Sequence, residues 1–73
     1  MAQELVEAPM TGKIIRVNVK VGDSVNIDDE LCILESMKME NPIVAPVAGK
    51  IAQLGVAADQ VIQVGKMIAV IEY

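Results

Sequence analysis

The chain contains the same sequence pattern twice. A shift of 37 residues aligns residues 8–35 with residues 45–72 without a gap. Identical residues meet at Ala8 and Ala45, Pro9 and Pro46, Gly12 and Gly49, Lys13 and Lys50, Ile14 and Ile51, Val19 and Val56, and Glu35 and Glu72. Self-similarity at a fixed spacing is the signature of a repeated structural unit. Two similar halves therefore predict a fold with pseudo-twofold symmetry.

Within each half, the pattern predicts short β-strands separated by turns. Residues 13–21 alternate imperfectly, which predicts a half-buried strand. Its apolar face would carry Ile15, Val17, Val19 and Val21. Short strands are also expected at Val25 and Ile27, at residues 31–34, and at the aligned positions of the second half. No such strand is stable alone, so we expect an all-β flattened barrel or sandwich of about eight strands in two sheets.

Size and composition limit the chain to one small domain. Its 73 residues are too few for two independent cores. Apolar residues make up 53% of the chain, yet Tyr73 is the only aromatic residue, so β-branched and other aliphatic side chains must form the core. No linker-like or low-complexity segment interrupts the sequence. We therefore expect residues 1–73 to form a single, free-standing domain.

Charge and the missing residue types exclude several functions. The net charge of −4, without a basic cluster, disfavours nucleic-acid binding. There is no histidine and only one cysteine, Cys32, so neither a metal site nor catalysis by this chain is expected. Cys32 cannot form an internal disulfide, and no apolar run approaches the length of a membrane span. A cytoplasmic protein without membrane insertion is predicted, in which Cys32 is a small buried apolar residue.

The segment between the halves breaks local rules. It consists of Glu35, Ser36, Met37, Lys38, Met39 and Glu40. The flanking strands predict a two-residue hairpin turn at Met37 and Lys38, although such turns favour asparagine, aspartate and glycine. The same register places Glu35 opposite Glu40, and like charges there are destabilising. Pro42, in the strand that follows, predicts an edge or a bulge.

These broken rules point to function. An exposed lysine in a turn is usually only solvated. Here, however, two methionines flank it. An exposed methionine buries no apolar surface within its own chain, so a pair at a turn indicates contact with another protein. Sites where local preference fails in an otherwise consistent sequence are where function is expected. The turn is therefore predicted to be a recognition site centred on Lys38.

The segment ESMKME at residues 35–40 resembles the attachment motif of biotin carboxyl carrier domains. The repeated APxxGKI turns and the segment NPIVAPVAGKI are similar to the same family, so the resemblance spans residues 5–72. It implies a flattened barrel of two four-stranded antiparallel sheets, with the biotinyl lysine on an exposed hairpin and both termini at the other end. The chain has Ser36 where many members have alanine, and it has no counterpart, between Gly22 and Leu31, of the projecting loop found in some bacterial carrier subunits.

The resemblance also implies a function. A biotin protein ligase would attach biotin to Lys38 as an amide, and the ureido nitrogen of biotin would carry carboxyl groups from a biotin carboxylase to a carboxyltransferase. The whole would be a biotin-dependent carboxylase, such as acetyl-CoA carboxylase, or a decarboxylase, and this chain its non-catalytic carrier. Met37 and Met39 would contact the partners, with Ser36 beside them. Glu35 and Glu40 would frame the tip, although simple solvation explains both glutamates equally well.

Two alternatives remain open at this point. A lipoyl carrier domain of a 2-oxo acid dehydrogenase complex shares the duplicated barrel, but its lysine is typically preceded by aspartate, where this chain has Met37. An unmodified lipoyl-like structural adaptor would have a long helical insertion between its halves. No insertion interrupts residues 35–45.

Overall fold

The computed structural model describes all residues, 1–73, and contains eight β-strands and no helix. The strands are β1 (Gln3–Glu7), β2 (Gly12–Val17), β3 (Ser24–Val25), β4 (Glu30–Ser36), β5 (Met39–Val44), β6 (Gly49–Leu54), β7 (Val61–Ile62) and β8 (Met67–Glu72). The molecule is elongated, with extents of 36 × 18 × 16 Å. The prediction of an all-β fold is confirmed.

The strands form two four-stranded antiparallel sheets. One sheet has the order β1-β8-β6-β3 and is here named the terminal sheet, because it holds both chain ends. The other has the order β5-β4-β2-β7 and is named the hairpin sheet. The 37-residue shift carries β1 onto β5, β2 onto β6, β3 onto β7 and β4 onto β8, so each sheet is the counterpart of the other. The pseudo-twofold symmetry is confirmed, and it extends into β1 and β5.

The chain ends pair with each other. The backbone N–H of Ala2 donates to the carbonyl of Tyr73, and the N–H of Tyr73 donates to the carbonyl of Ala2, both at 2.9 Å. The 37-residue shift places this pair on Met39 and Ser36, which flank the hairpin turn. The termini therefore occupy the position in their sheet that the turn occupies in the hairpin sheet.

One apolar core lies between the two sheets. Its fully buried large side chains come in symmetry-related pairs: Ile14 and Ile51, Leu31 and Ile68, and Leu34 and Ile71. No polar or charged side chain is buried. Each sheet contains strands from both halves of the sequence, so neither half can bury its apolar face alone.

The predicted apolar face of residues 13–21 was only partly right, since Val17 and Val19 pack against the core but Ile15 does not. Ile14, not Ile15, is fully buried, and the strand ends at Val17. The pairing of β2 with β4 steps from Ile14 and Leu34 to Arg16 and Ile33, which leaves Ile15 as an extra residue in a β-bulge. A bulge shifts the alternation of side chains by one position, so a strict two-residue period misplaces the inward face.

Two predicted strand residues lie outside the strands. Ile27 and Val64 are exposed and stand in turns, where the next residues, Asp28 and Gly65, have positive φ values of 72° and 90°. Each side chain therefore lies in a tight turn and does not reach the core. Val21, predicted to face inward, is also exposed.

The structure has no helix long and apolar enough to span a membrane.

Candidate functional site

The attachment-like segment forms the predicted hairpin. Strands β4 and β5 are joined by Met37 and Lys38 alone, with Ser36 opposite Met39 and Glu35 opposite Glu40. This register agrees with the sequence prediction. The turn therefore joins β4 to β5, the edge strand of the hairpin sheet.

Both turn residues have a left-handed backbone. Met37 has φ 53° and Lys38 has φ 65°. Successive positive φ values are those of the type I′ turn, whose twist matches that of the flanking strands. A side chain with a Cβ costs about 1–2 kcal/mol in this conformation. The chain therefore holds Met37 and Lys38 in a turn that neither residue favours.

The side chains at the tip are open to solvent. Met37 is 92% exposed and Met39 is 68% exposed, while Lys38 is also exposed. The ion pairs of the structure are Lys13 with Asp59 and Arg16 with Glu30, so the Lys38 ammonium has no carboxylate partner. It accordingly stands at the tip between two exposed thioethers, where a second protein can approach it.

The two glutamates share one face of the hairpin. Because Glu35 and Glu40 lie directly opposite each other, their side chains project to the same side of the sheet. On the next strand, Lys13 lies opposite Glu35, and its ammonium is 3.9 Å from Asp59. A positive charge thus lies in the same row as the repelling carboxylates. All these groups are solvated, so their net effect on stability is small.

Asn41 supports the hairpin, and sequence reasoning did not identify it. Its side-chain amide donates to the carbonyl of Leu34 on β4, at 3.4 Å, and to that of Met39 on β5, at 3.2 Å. These bonds connect the two strands directly below the turn. Asparagine is depleted in strand interiors. That low preference is the signal that could have singled out Asn41.

Pro42 and Cys32 occupy the environments expected of them. Pro42 lies on β5, the edge strand of the hairpin sheet, and faces Ile33. Because proline has no N–H, it offers no donor to another strand at this edge. Cys32 is fully buried, and burial, together with the negative charge of Glu30, raises the pKa of its thiol to about 11. Cys32 is therefore an apolar core residue, as predicted.

Nothing in the structure gathers metal-ligating groups. No cluster of three or more Cys, Asp or Glu side chains is arranged to hold a metal ion. The surface also has no pocket. The feature that stands out is the lysine at the tip of a strained, methionine-flanked turn on a duplicated two-sheet barrel. Fold and site together define the class of lysine-presenting carrier domains.

The comparisons identify the family within this class. Residues 4–71 match the family Biotin_lipoyl, described as biotin-requiring enzyme. The match covers nearly the whole chain, and the chain belongs to this family. The two-sheet fold implied by the family resemblance is confirmed.

Known relatives share both sequence and shape with this chain. A biotin carboxyl carrier protein of Streptococcus mutans is 45% identical over 88% of this chain, which spans about half (49%) of that protein. A protein of Mycobacterium leprae named biotinylated protein TB7.3 homolog is 44% identical over 97% of this chain and 99% of its own length. The urea carboxylase of Kluyveromyces lactis contains a similar fold, with a TM-score of 0.89 and 29% identity over 99% of this chain and 6% of that one.

These relatives bear on the two alternatives. The family and the two sequence relatives are named for biotin, so a biotin carrier role is supported and a lipoyl carrier is not favoured. The adaptor alternative requires a long helical insertion between the halves. The structure has a two-residue turn there instead.

Proposed function

We propose that Lys38 carries biotin in amide linkage and that the chain delivers carboxyl groups between the active sites of a biotin-dependent carboxylase or decarboxylase. The observation that carries this proposal is the position of Lys38, alone at the tip of a strained hairpin between two exposed methionines. The other lysines have no such setting. Lys13, Lys20 and Lys50 have no neighbouring methionine, and Lys66 has one, Met67, on one side only.

The residues at the tip fit the proposed modification. The neutral Nζ of Lys38 would attack the carboxyl carbon of biotinyl-adenylate, so that the amide C–N bond forms, the bond from carbon to the adenylate oxygen breaks, and AMP leaves as the amine loses its proton. A lysine in water is mostly protonated near neutral pH, so a biotin protein ligase must remove the proton while it supplies activated biotin. The exposed side chain of Lys38, without an ion pair to break, is accessible to such an enzyme.

Once attached, biotin would accept a carboxyl group at one enzyme site and release it at another. The chain itself contributes a long, exposed arm that carries the attached group. The side chain of Lys38 extends from a turn that projects beyond the core, so the tethered group meets two sites without dissociating into solution. The chain would therefore be a non-catalytic carrier that raises the local concentration of the group at each partner.

The partner enzymes would recognise the hairpin through the residues next to Lys38. Met37 and Met39 offer adaptable apolar surface to the ligase, and to the biotin carboxylase and carboxyltransferase. Ser36 is small and leaves room beside the turn. Glu35 and Glu40 present paired negative charge on one face of the hairpin only, which distinguishes the two faces for a docking protein.

The acceptor of the carboxyl group is a property of the carboxyltransferase partner. The urea carboxylase of Kluyveromyces lactis carries a similar domain as 6% of its length, so the rest of such an enzyme holds the acceptor site. Acetyl-CoA carboxylase is one assembly that this carrier would serve. We also propose that residues 1–73 act as a single domain and that it works in the cytoplasm, which is supported by its one unpaired, buried cysteine.

Co-expression with a biotin protein ligase tests the proposal. We expect intact mass to increase by a single biotinyl group and peptide mapping to place that group on Lys38. Lys38→Arg keeps the charge and the exposed position but should abolish the adduct. Lys66→Arg is the matched control and should leave it unchanged. A biotinyl group on Lys13 or Lys50 would refute the assignment of Lys38.

A further inference from the structure

The sulfur atoms of the chain differ sharply in their exposure. Met37 and Met39 are exposed, as is Met1 at the chain end. Met10 is only partly exposed and packs against the core. The other sulfurs are those of Met67 and Cys32.

The two remaining sulfurs differ in burial, since Met67 is partly exposed and Cys32 is fully buried. The Met67 thioether lies against Gly55, where an added Cβ would come within 2.9 Å of the sulfur. Cys32 is fully buried, and its pKa of about 11 leaves it as the unreactive thiol near neutral pH. The exposed thioethers within the folded part of the chain are therefore the two that flank Lys38.

We propose that Met37 and Met39 are a reversible oxidation site that controls whether Lys38 is accepted by its modifying enzyme. The oxidant is a peroxide. Each thioether sulfur attacks one peroxide oxygen, the O–O bond breaks, and the sulfur gains an S–O bond as a sulfoxide. Hydrogen peroxide is reduced to water in the same step, so two electrons pass from sulfur to the peroxide.

Because Met37 and Met39 lie outside the core, their oxidation would change recognition by the ligase without changing the stability of the fold. Neither side chain contributes to the buried core, so oxidation leaves the packing between the two sheets intact. A sulfoxide is polar, however, and its oxygen must lose water when it enters an apolar pocket. The modified hairpin is therefore a folded but poor substrate. This consequence, unlike the oxidation itself, rests on the proposed function of Lys38.

The first part of the test follows the sulfur atoms. The full, unbiotinylated chain is treated with hydrogen peroxide, and sulfoxide formation at each methionine is followed by peptide mass spectrometry. We expect Met37 and Met39 to oxidise about tenfold faster than Met10 and Met67. Equal rates at all four residues would overturn the assignment of the site. Thermal unfolding of the treated chain should match that of the untreated chain, and a large loss of stability would also overturn it.

The second part follows the acceptance of biotin. Oxidation should lower kcat/KM for a biotin protein ligase at least about tenfold, equivalent to about 1.4 kcal/mol. Methionine sulfoxide reductases should restore the original value. Met10→Leu combined with Met67→Leu is the matched control and should remain as sensitive to peroxide as the wild type. An unchanged kcat/KM with the oxidised chain as substrate, or a decrease in kcat/KM that the reductases cannot reverse, would overturn the proposal.

The two parts distinguish this proposal from the proposed function. If the untreated chain accepts no biotin, the assignment of Lys38 fails, while the rates of sulfoxide formation still report on Met37 and Met39. If the untreated chain accepts biotin and the oxidised chain does so equally well, only the proposed control by oxidation fails.

Discussion

At the residue scale, we propose that Met37 selects between the two cofactors that a duplicated barrel of this kind could carry. The barrel itself cannot discriminate, so selectivity must come from side chains around Lys38. An exposed apolar side chain enters a ligase pocket with little loss of hydration, whereas a carboxylate there requires a polar partner. Met37 precedes Lys38 at the place where lipoyl domains typically have aspartate.

Met37→Asp should therefore lower biotin attachment and raise lipoate attachment. The measurement is a competition between purified biotin and lipoate ligases for the wild-type and variant chains, with intact mass reporting the adduct. Met10→Asp is not a suitable control, since Met10 packs on the core. Ala48→Asp is the matched control, because Ala48 is exposed and precedes Gly49, which lies against the carbonyl of Glu72 at the end of the molecule that holds the chain termini. Equal use of lipoate and biotin by the wild type would contradict the role given to Met37.

A second prediction at this scale concerns Cys32 and alkaline pH. Desolvation by burial, with a smaller contribution from the charge of Glu30, raises the pKa of Cys32 from 9.0 to about 11. The folded chain thus binds the thiol proton more tightly than the unfolded chain. Its contribution to stability is complete below about pH 9 and is lost as the pH rises towards 11, by about 3 kcal/mol in total.

Urea unfolding between pH 8 and pH 11 measures this loss. Cys32→Ala should be less stable at pH 8, because it leaves a small cavity, but its stability should fall less steeply with pH. All other ionisable groups are the same in both proteins, so the difference between their profiles isolates Cys32. If the free energies of unfolding of the two proteins fall in parallel as the pH rises, the Cys32 thiol does not contribute to the pH dependence of stability.

At the element scale, the hairpin turn is maintained against its own backbone preference. Met37 and Lys38 have φ values of 53° and 65°, a conformation suited to asparagine and glycine. Replacing the pair by Met37→Asn and Lys38→Gly should raise the free energy of unfolding by about 1–3 kcal/mol. Because the variant also loses its acceptor lysine, this gain would show that stability has been given up for function at the tip.

The midpoint of urea unfolding checks this prediction. Asp59→Gly is the matched control, because Asp59 has φ 70° and its counterpart in the other half is Gly22, at φ 96°. Aspartate tolerates this conformation better than methionine or lysine does, so the control should gain less than the hairpin variant. A hairpin variant that is no more stable than the wild type would contradict the proposed strain.

The same elements show how far the sequence predicts the site. The two-residue turn and its register were predicted from the flanking strands, although Met37 and Lys38 themselves disfavour such a turn. The edge position of Pro42 was predicted from its missing N–H. Asn41 was missed, because its bonds to the carbonyls of Leu34 and Met39 require the strands to be paired first. The bulge at Ile15 was also missed, since the pairing of β2 with β4 decides which residue is extra.

At the scale of the whole molecule, the two halves of the sequence share one core, so we expect them to unfold as one cooperative unit. Each sheet takes strands from both halves, and Ile14 and Ile51 occupy equivalent, fully buried positions in the shared core. Ile14→Val and Ile51→Val should each lower the free energy of unfolding by about 1 kcal/mol. Circular dichroism and the fluorescence of Tyr73, on the terminal sheet, should report coincident transitions in both variants. Separate transitions would show that the sheets unfold independently.

The sequence by itself determined the symmetry, the all-β class and the lysine at the hairpin tip. Each of these depends on the residue types at particular positions, through the 37-residue repeat, the β-branched composition and the Met-Lys-Met segment. Only the tertiary structure decided which apolar residues face the core, where the bulges fall and how Asn41 supports the turn. These features arise when strands from the two halves pair, because a strand's register and inward face are set by its neighbours as well as by its own sequence.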